Sequence, residues 1–247
     1  MGQDGLMEDL SNESPIGRLL EELSWEGNAR KYRAGGRGVE NVLVTEVFAA
    51  LDLLPRATFL GEILSAGHGA ESARQAVWSE IEQVVIDVLP YGPDLAAGGP
   101  NIQPDLMFHA PSATVLVEAK RIRAGAFQPE QLAREYLTLM RDHQTPTRLL
   151  LLILPAPPPF PVRGRGRLGT REAILGALPA VHARAADPPP LPEMIAGIQD
   201  TVAWTTWSSI DEAMHSGLGR LNISDPSVDA AIRRCAHAVS RAIAWHA

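Results

Sequence analysis

The chain has one cysteine in 247 residues, only 5% aromatic residues, no long uninterrupted apolar run and no surplus of positive charge. Each shortage excludes something. A lone Cys235 rules out an intrachain disulfide framework and fits a reducing compartment. It lies in a helical pattern and is expected to be a small buried apolar residue. The most apolar stretch, LLLLILPAPPPFPV at 149–162, is broken by prolines. It falls far short of the roughly 20 apolar residues that cross a bilayer, and reads as a buried strand running into a stiff loop. The N-terminal MGQDGLMEDLSNES is acidic and lacks the basic region and apolar core of a secretory signal, so a soluble, cytoplasmic protein is expected. A net charge of −7 excludes a general DNA-coating protein. It leaves room for a nucleic-acid enzyme with a local basic surface. No GxxxxGK[ST] phosphate loop is present, and GRGRLG at 164–169 is not one. His68, His109, His143, His182, His215, His237 and His246 are scattered without metal-ligand spacing.

What remains is a chain with 45% hydrophobic residues, enough for a sizeable core. Residues 1–37 read as a flexible and partly helical extension, with Ser14 and Pro15 opening a short helix and a basic, glycine-rich loop after it. Residues 38–247 read as a single domain. Val39, Leu43, Val47 and Leu51 recur at four-residue spacing and predict a helix that Pro55 stops. Shorter helices follow around Phe59 to Leu64 and in ESARQAVWSEI. EQVVIDVLP, PDLMFHA and ATVLVEAKRI predict three strands in a meander. PEQLAREYLTLMRDH predicts a helix with Leu132, Tyr136 and Met140 as its apolar stripe. RLLLLIL predicts a strand buried on both faces. APPPFPVRGRGRLG reads as a loop, TREAILGALPAVHA as helical, DPPPLP as a rigid connector, QDTVAWTTW as a strand, SIDEAMHSG as a short helix, and the last segment as a long one. This order predicts an α/β fold on a mixed central sheet, a three-stranded meander followed by helix–strand units, flanked by helices.

Chemistry concentrates in PDLMFHAPSATVLVEAKRIR at 104–123. A hairpin turning at Pro111 and Ser112 sets Asp105 directly opposite Glu118, on one face of the sheet. Strand alternation puts Lys120 on that face too, whereas a slip of one residue moves Asp105 to the other. Two opposed carboxylates repel, and a divalent cation removes that penalty. A neighbouring ammonium can then meet an attacking water or a phosphate. Those are the needs of phosphodiester hydrolysis. The competing reading is a simple ion pair of Lys120 with either acid on a solvated strand edge.

PD followed after twelve residues by EAK, with the apolar Val115, Leu116 and Val117 before it, resembles the PD-(D/E)XK nuclease superfamily, which has the restriction-endonuclease-like fold. The helix, meander, helix and strand order matches as well, over about residues 38–155. The resemblance implies Asp105 and Glu118 as ligands of Mg²⁺ or Mn²⁺, with the backbone carbonyl of Ala119 completing the set, and Lys120 positioning or activating the water. It implies an acid on the first core helix, Glu40, with Glu46 as competitor. It also implies a glutamine on the helix after the lysine, Gln131, with Tyr136 and Arg134 as lesser candidates. The implied activity is a metal-dependent nuclease acting on DNA, with RNA as the other substrate, in restriction, repair or phage defence. A homodimer and a partner protein both fit such an enzyme. The alternative is a catalytically inactive nuclease-fold protein that binds nucleic acid or a protein partner.

Three basic clusters are candidates for phosphate contact. Arg121 and Arg123 adjoin Lys120. Lys31 and Arg33, with Arg30 and Arg37, precede the first core helix. Arg163, Arg165, Arg167 and Arg171 form the third. His109 is read as a surface histidine near the turn, and Trp204 and Trp207 as core residues.

Overall fold

The computed structural model describes residues 39–90, 102–123 and 126–247, together with Ile16, Leu19 and Gly36. Of the expected N-terminal helix only Ile16 and Leu19 are described, both helical, and Lys31, Arg33, Arg30 and Arg37 lie outside the described residues. Three helices come first: α1 (Glu40–Leu51), α2 (Arg56–Ala66) and α3 (Glu71–Ser79). The meander follows as β1 (Val85–Val88), β2 (Leu106–His109) and β3 (Ala113–Ala119). Helix α4 (Gln131–Asp142) crosses to β4 (Thr147–Leu154). A small hairpin, β5 (Phe160–Val162) and β6 (Gly166–Leu168), precedes α5 (Thr170–Leu175), α6 (Leu178–His182) and α7 (Leu191–Thr201). Strand β7 (Val202–Thr206) then runs directly into α8 (Trp207–Arg220), and α9 (Pro226–His246) ends the chain.

The main sheet is mixed, in the order β1-β2-β3-β4-β7. β1, β2 and β3 pair antiparallel, whereas β4 lies parallel to β3 and β7 parallel to β4. The β2–β3 register is the one the turn at Pro111 and Ser112 requires: Leu106 faces Val117 and His109 faces Thr114. Ala110 and Ala113 close that turn with N–H···O bonds of 2.9 and 3.4 Å.

Side-chain alternation along β3 builds two cores. Val115, Val117 and Ala119 join Leu149, Leu151 and Ile153 of β4 beneath α1, α2, α3, α8 and α9. Leu116, Leu150 and Leu152 face the other way, onto α4, α5, α6, α7 and Phe160. All seven residues of β3 are buried, and β4 is the continuously apolar strand that its sequence predicts. Asp225 caps α9 by accepting the Ser227 and Val228 N–H groups, and Thr206 caps α8 from Ser209.

Several expectations change. The APPPFPVRGRGRLG segment contains a hairpin rather than an irregular loop. Arg163, Gly164 and Arg165 form its tip, and Gly164 and Gly166 take positive φ values of 71° and 76°. The segment after DPPPLP forms α7 through Thr201, which shortens the predicted QDTVAWTTW strand from its start. TREAILGALPAVHA divides into two short helices at Gly176–Ala177. His109 is half-buried rather than on the surface; burial, with His143 nearby, lowers its pKa to about 4. Cys235 is only partly buried, packed against the first core. Among the described residues, no helix is long and apolar enough to cross a membrane.

Leu150 sits at the centre of this arrangement, fully buried and paired with Leu116 and Val202. Leu150→Ala should lower unfolding free energy by about 2–5 kcal/mol in urea titration with an unchanged m-value.

Candidate metal centre

The site lies where β3 ends. Asp105 immediately precedes β2 and is held on both sides. Its backbone carbonyl accepts the Leu89 N–H at 3.0 Å, and its Oδ2 accepts the Ala119 N–H at 2.8 Å. An extended residue points its N–H and C=O toward the same neighbour, so the Ala119 carbonyl also faces the Asp105 side. Lys120 is fixed through its backbone as well. Its N–H donates to the Ile153 carbonyl at 2.8 Å, and its carbonyl accepts the Trp207 indole N–H at 2.7 Å. Trp207 is therefore a core residue, as expected, and its polar handle locks the end of β3.

Glu40 comes from the first turn of α1, on the other side of the sheet. Its two oxygens accept from the Lys120 ammonium and from the Arg121 backbone N–H, both at 2.9 Å. One carboxylate oxygen from each of Glu40, Asp105 and Glu118 lies within 4.8 Å of the others. Glu46 does not take part; it faces His246 at 3.2 Å. A polar cleft of about 170 Å³ opens over the three acids, bounded also by Gln103, Leu89 and Gln131.

Glu118 is the most heavily engaged of the three. Its Oε1 accepts from Lys120 Nζ at 2.5 Å and also from the Gln131 amide. Both donors use the same oxygen, which leaves Oε2 for another partner. Gln131 thus reaches the acid that the resemblance implied. Tyr136 turns away and donates to the Met194 carbonyl at 2.7 Å. Lys120 Nζ also lies 5.0 Å from the centroid of the Phe127 ring, a cation–π contact that closes its apolar side.

A further acid was missed by sequence reasoning. Glu135 is 2% exposed and lies next to Glu118. The signal was available: Gln131 and Glu135 are four residues apart, on one face of α4. Burial, then the Glu118 charge, push its pKa well up. Its buried Oε2 has no hydrogen-bond partner among the described residues.

The electrostatics follow from the count. Glu40, Asp105, Glu118 and Glu135 face one ammonium. Burial raises the Asp105 pKa well above the ordinary range, and the Glu118 and Glu40 charges raise it further. Burial raises that of Glu118, and Lys120 opposes the shift. Burial disfavours the Lys120 charge, but Glu118, Glu40 and Asp105 outweigh it and raise its pKa, so Lys120 stays charged.

The donor set suits a hard divalent cation. It offers oxygen only, from carboxylates and a backbone carbonyl, and Mg²⁺ at about 2.1 Å from each oxygen spaces its ligands about 3–4 Å apart. The three carboxylates need only small side-chain adjustments to meet that spacing. Among the cations proposed for phosphate contact, Arg121 is exposed beside the site. Arg123 donates to the carbonyl of Ala247 at 2.5 Å. No family model, curated protein or solved structure matches the chain.

A raised carboxyl pKa means that the folded state holds a proton the unfolded state has released, so stability falls as pH rises from the ordinary carboxylate range through the raised values. In EDTA, Asp105→Asn should therefore raise Tm relative to the unmodified chain. The gain should be small near pH 4 and larger near pH 7–8, as read by thermal scans.

Proposed function

We propose that the chain is a divalent-metal-dependent nuclease that hydrolyses DNA phosphodiester bonds on a PD-(D/E)XK-type site. The observation that carries this is the convergence of Glu40, Asp105 and Glu118 within 4.8 Å, with Lys120 Nζ bonded to two of them. These residues come from three separate elements. A strand-edge ion pair would need only two of them, and would lie in solvent, whereas Asp105, Glu118 and Lys120 are all buried.

Asp105, Glu118 and the Ala119 carbonyl would hold Mg²⁺ or Mn²⁺, with Glu40 beside them. When bound, the ion supplies positive charge to the phosphate and lowers the pKa of the attacking water. The chain's own groups do the rest. Gln131 fixes the carboxylate plane of Glu118. Lys120 donates toward the water or a phosphate oxygen and stabilises the charge that develops there. Phe127 keeps solvent from one side of the ammonium. Glu135, whose pKa burial and the Glu118 charge raise, limits the negative charge around the site.

With Mn²⁺ and plasmid, linear or single-stranded DNA, the unmodified chain should cleave and EDTA should abolish cleavage. Lys120→Ala and Asp105→Ala should each lower the rate by about 10²- to 10³-fold, whereas Glu46→Gln should leave it unchanged. Cleavage undiminished in Lys120→Ala would overturn the assignment.

A further inference from the structure

The β5–β6 hairpin is built onto the site. Phe127, whose ring flanks Lys120, donates its N–H to the Pro161 carbonyl and accepts the Arg163 N–H, both at 3.0 Å. Its ring also packs on Phe160, with centroids 4.7 Å apart. Alternation gives the hairpin two faces. Phe160 and Val162 are buried, while Arg163, Arg165 and Arg167 are exposed. The Arg165 guanidinium bonds the Gly176 carbonyl at 2.8 Å, which ties the tip to the helix bearing Arg171. Gly164 and Gly166 at the tip have open space around them, so a long ligand can approach without obstruction from the backbone.

The charge density sets this hairpin apart: among the described residues Arg74, Arg134, Arg148, Arg234 and Arg241 also form no ion pair, but they are spread over α3, α4, β4 and α9, whereas four arginines crowd residues 163–171. In a chain of net charge −7, Arg56, Arg141, Arg184, Arg220 and Arg233 each sit on a carboxylate, at 2.5 to 2.7 Å. Arg163, Arg165, Arg167 and Arg171 form no ion pair among the described residues. Glu172, the one acid in the same stretch, turns back to the Gly169 N–H at 3.0 Å. Four guanidinium groups without carboxylates among the described residues, carried beside a hairpin whose backbone is bonded to that of Phe127, the residue over Lys120, suit a polyanion that also enters the metal cleft.

We propose that the β5–β6 hairpin with Arg171 is the phosphate-binding arm that seats the DNA backbone beside the metal site. This rests on the nuclease reading of that site. The arm acts through charge on successive phosphates and reads no base sequence. It supplies affinity, whereas Lys120 and the acids supply chemistry.

The test is binding of a labelled mixed-sequence DNA duplex to the full chain in EDTA, by fluorescence anisotropy over a range of KCl concentrations. Each lost phosphate contact lowers the slope of log K against log salt by about 0.9. Arg163→Gln with Arg171→Gln should therefore lower it by about 2 and weaken binding tenfold or more at low salt. Neither side chain has a hydrogen bond to lose among the described residues, and a Tm equal to that of the unmodified chain verifies folding. Arg163→Lys with Arg171→Lys should restore most of the slope, since charge and not shape is required. Unchanged affinity and slope in the Gln variant, or no binding by the unmodified chain, overturns the arm. Parallel cleavage assays in Mn²⁺ separate this from the nuclease reading. The Gln variant should raise KM and keep kcat. Cleavage indifferent to Lys120→Ala sinks the nuclease assignment alone, and leaves the binding result to stand or fall by itself.

Discussion

Four buried or half-buried carboxyl groups share one ammonium at the end of β3, and that imbalance organises the site. Lys120 can neutralise one of them in full. The others must take protons, accept N–H groups or receive another cation. The fold uses the first two devices: burial and the Glu118 charge raise the Glu135 pKa, Asp105 takes the Ala119 N–H, and Glu40 takes the Arg121 N–H. A chain selected for stability alone would gain by replacing such a cluster with apolar side chains, because desolvating charges costs more than their pairing returns. A divalent cation bound there, as proposed, would offset that cost.

The sheet makes the cluster possible. β3 is buried over its whole length, so its terminus cannot slide without exposing one core or opening the other. Backbone bonds to Asp105, Ala119 and Lys120 fix three contributors at once, and Trp207 reaches across from α8 to seal the strand end. Gln131 and Glu135 descend from α4 on one face, while Glu40 arrives from α1 on the other. The open end of the parallel pair β3–β4 is also where α/β sheets commonly place ligands.

Much of this was legible in the residues. The two-residue turn at Pro111 and Ser112 decided the register, and the register decided that Asp105 meets Glu118. The apolar run of β4 and the four-residue spacing in α1 identified elements whose burial pattern had one solution. What escaped did so for physical reasons. Prolines and glycines in APPPFPVRGRGRLG signal irregularity locally, yet Phe160 and Val162 gain enough by packing on Phe127 to hold a short hairpin. Helix α7 begins at a proline connector and carries a mid-helix glycine, Gly197, which weakened its pattern. Glu135 was not singled out, although its four-residue spacing from Gln131 puts both on one face of α4; only the packing of that face against Glu118 shows its burial.

The arrangement makes metal binding and protonation compete for the same oxygens, so affinity should rise with pH as Asp105 and Glu118 release their protons. Calorimetric titration of Mn²⁺ into the full chain at pH 6 and pH 8 measures this directly. The account predicts saturable binding, tighter at pH 8, lost in Asp105→Asn and in Glu118→Gln, and retained in Glu46→Gln. Absence of Mn²⁺ binding, or binding that survives Asp105→Asn undiminished, would contradict it.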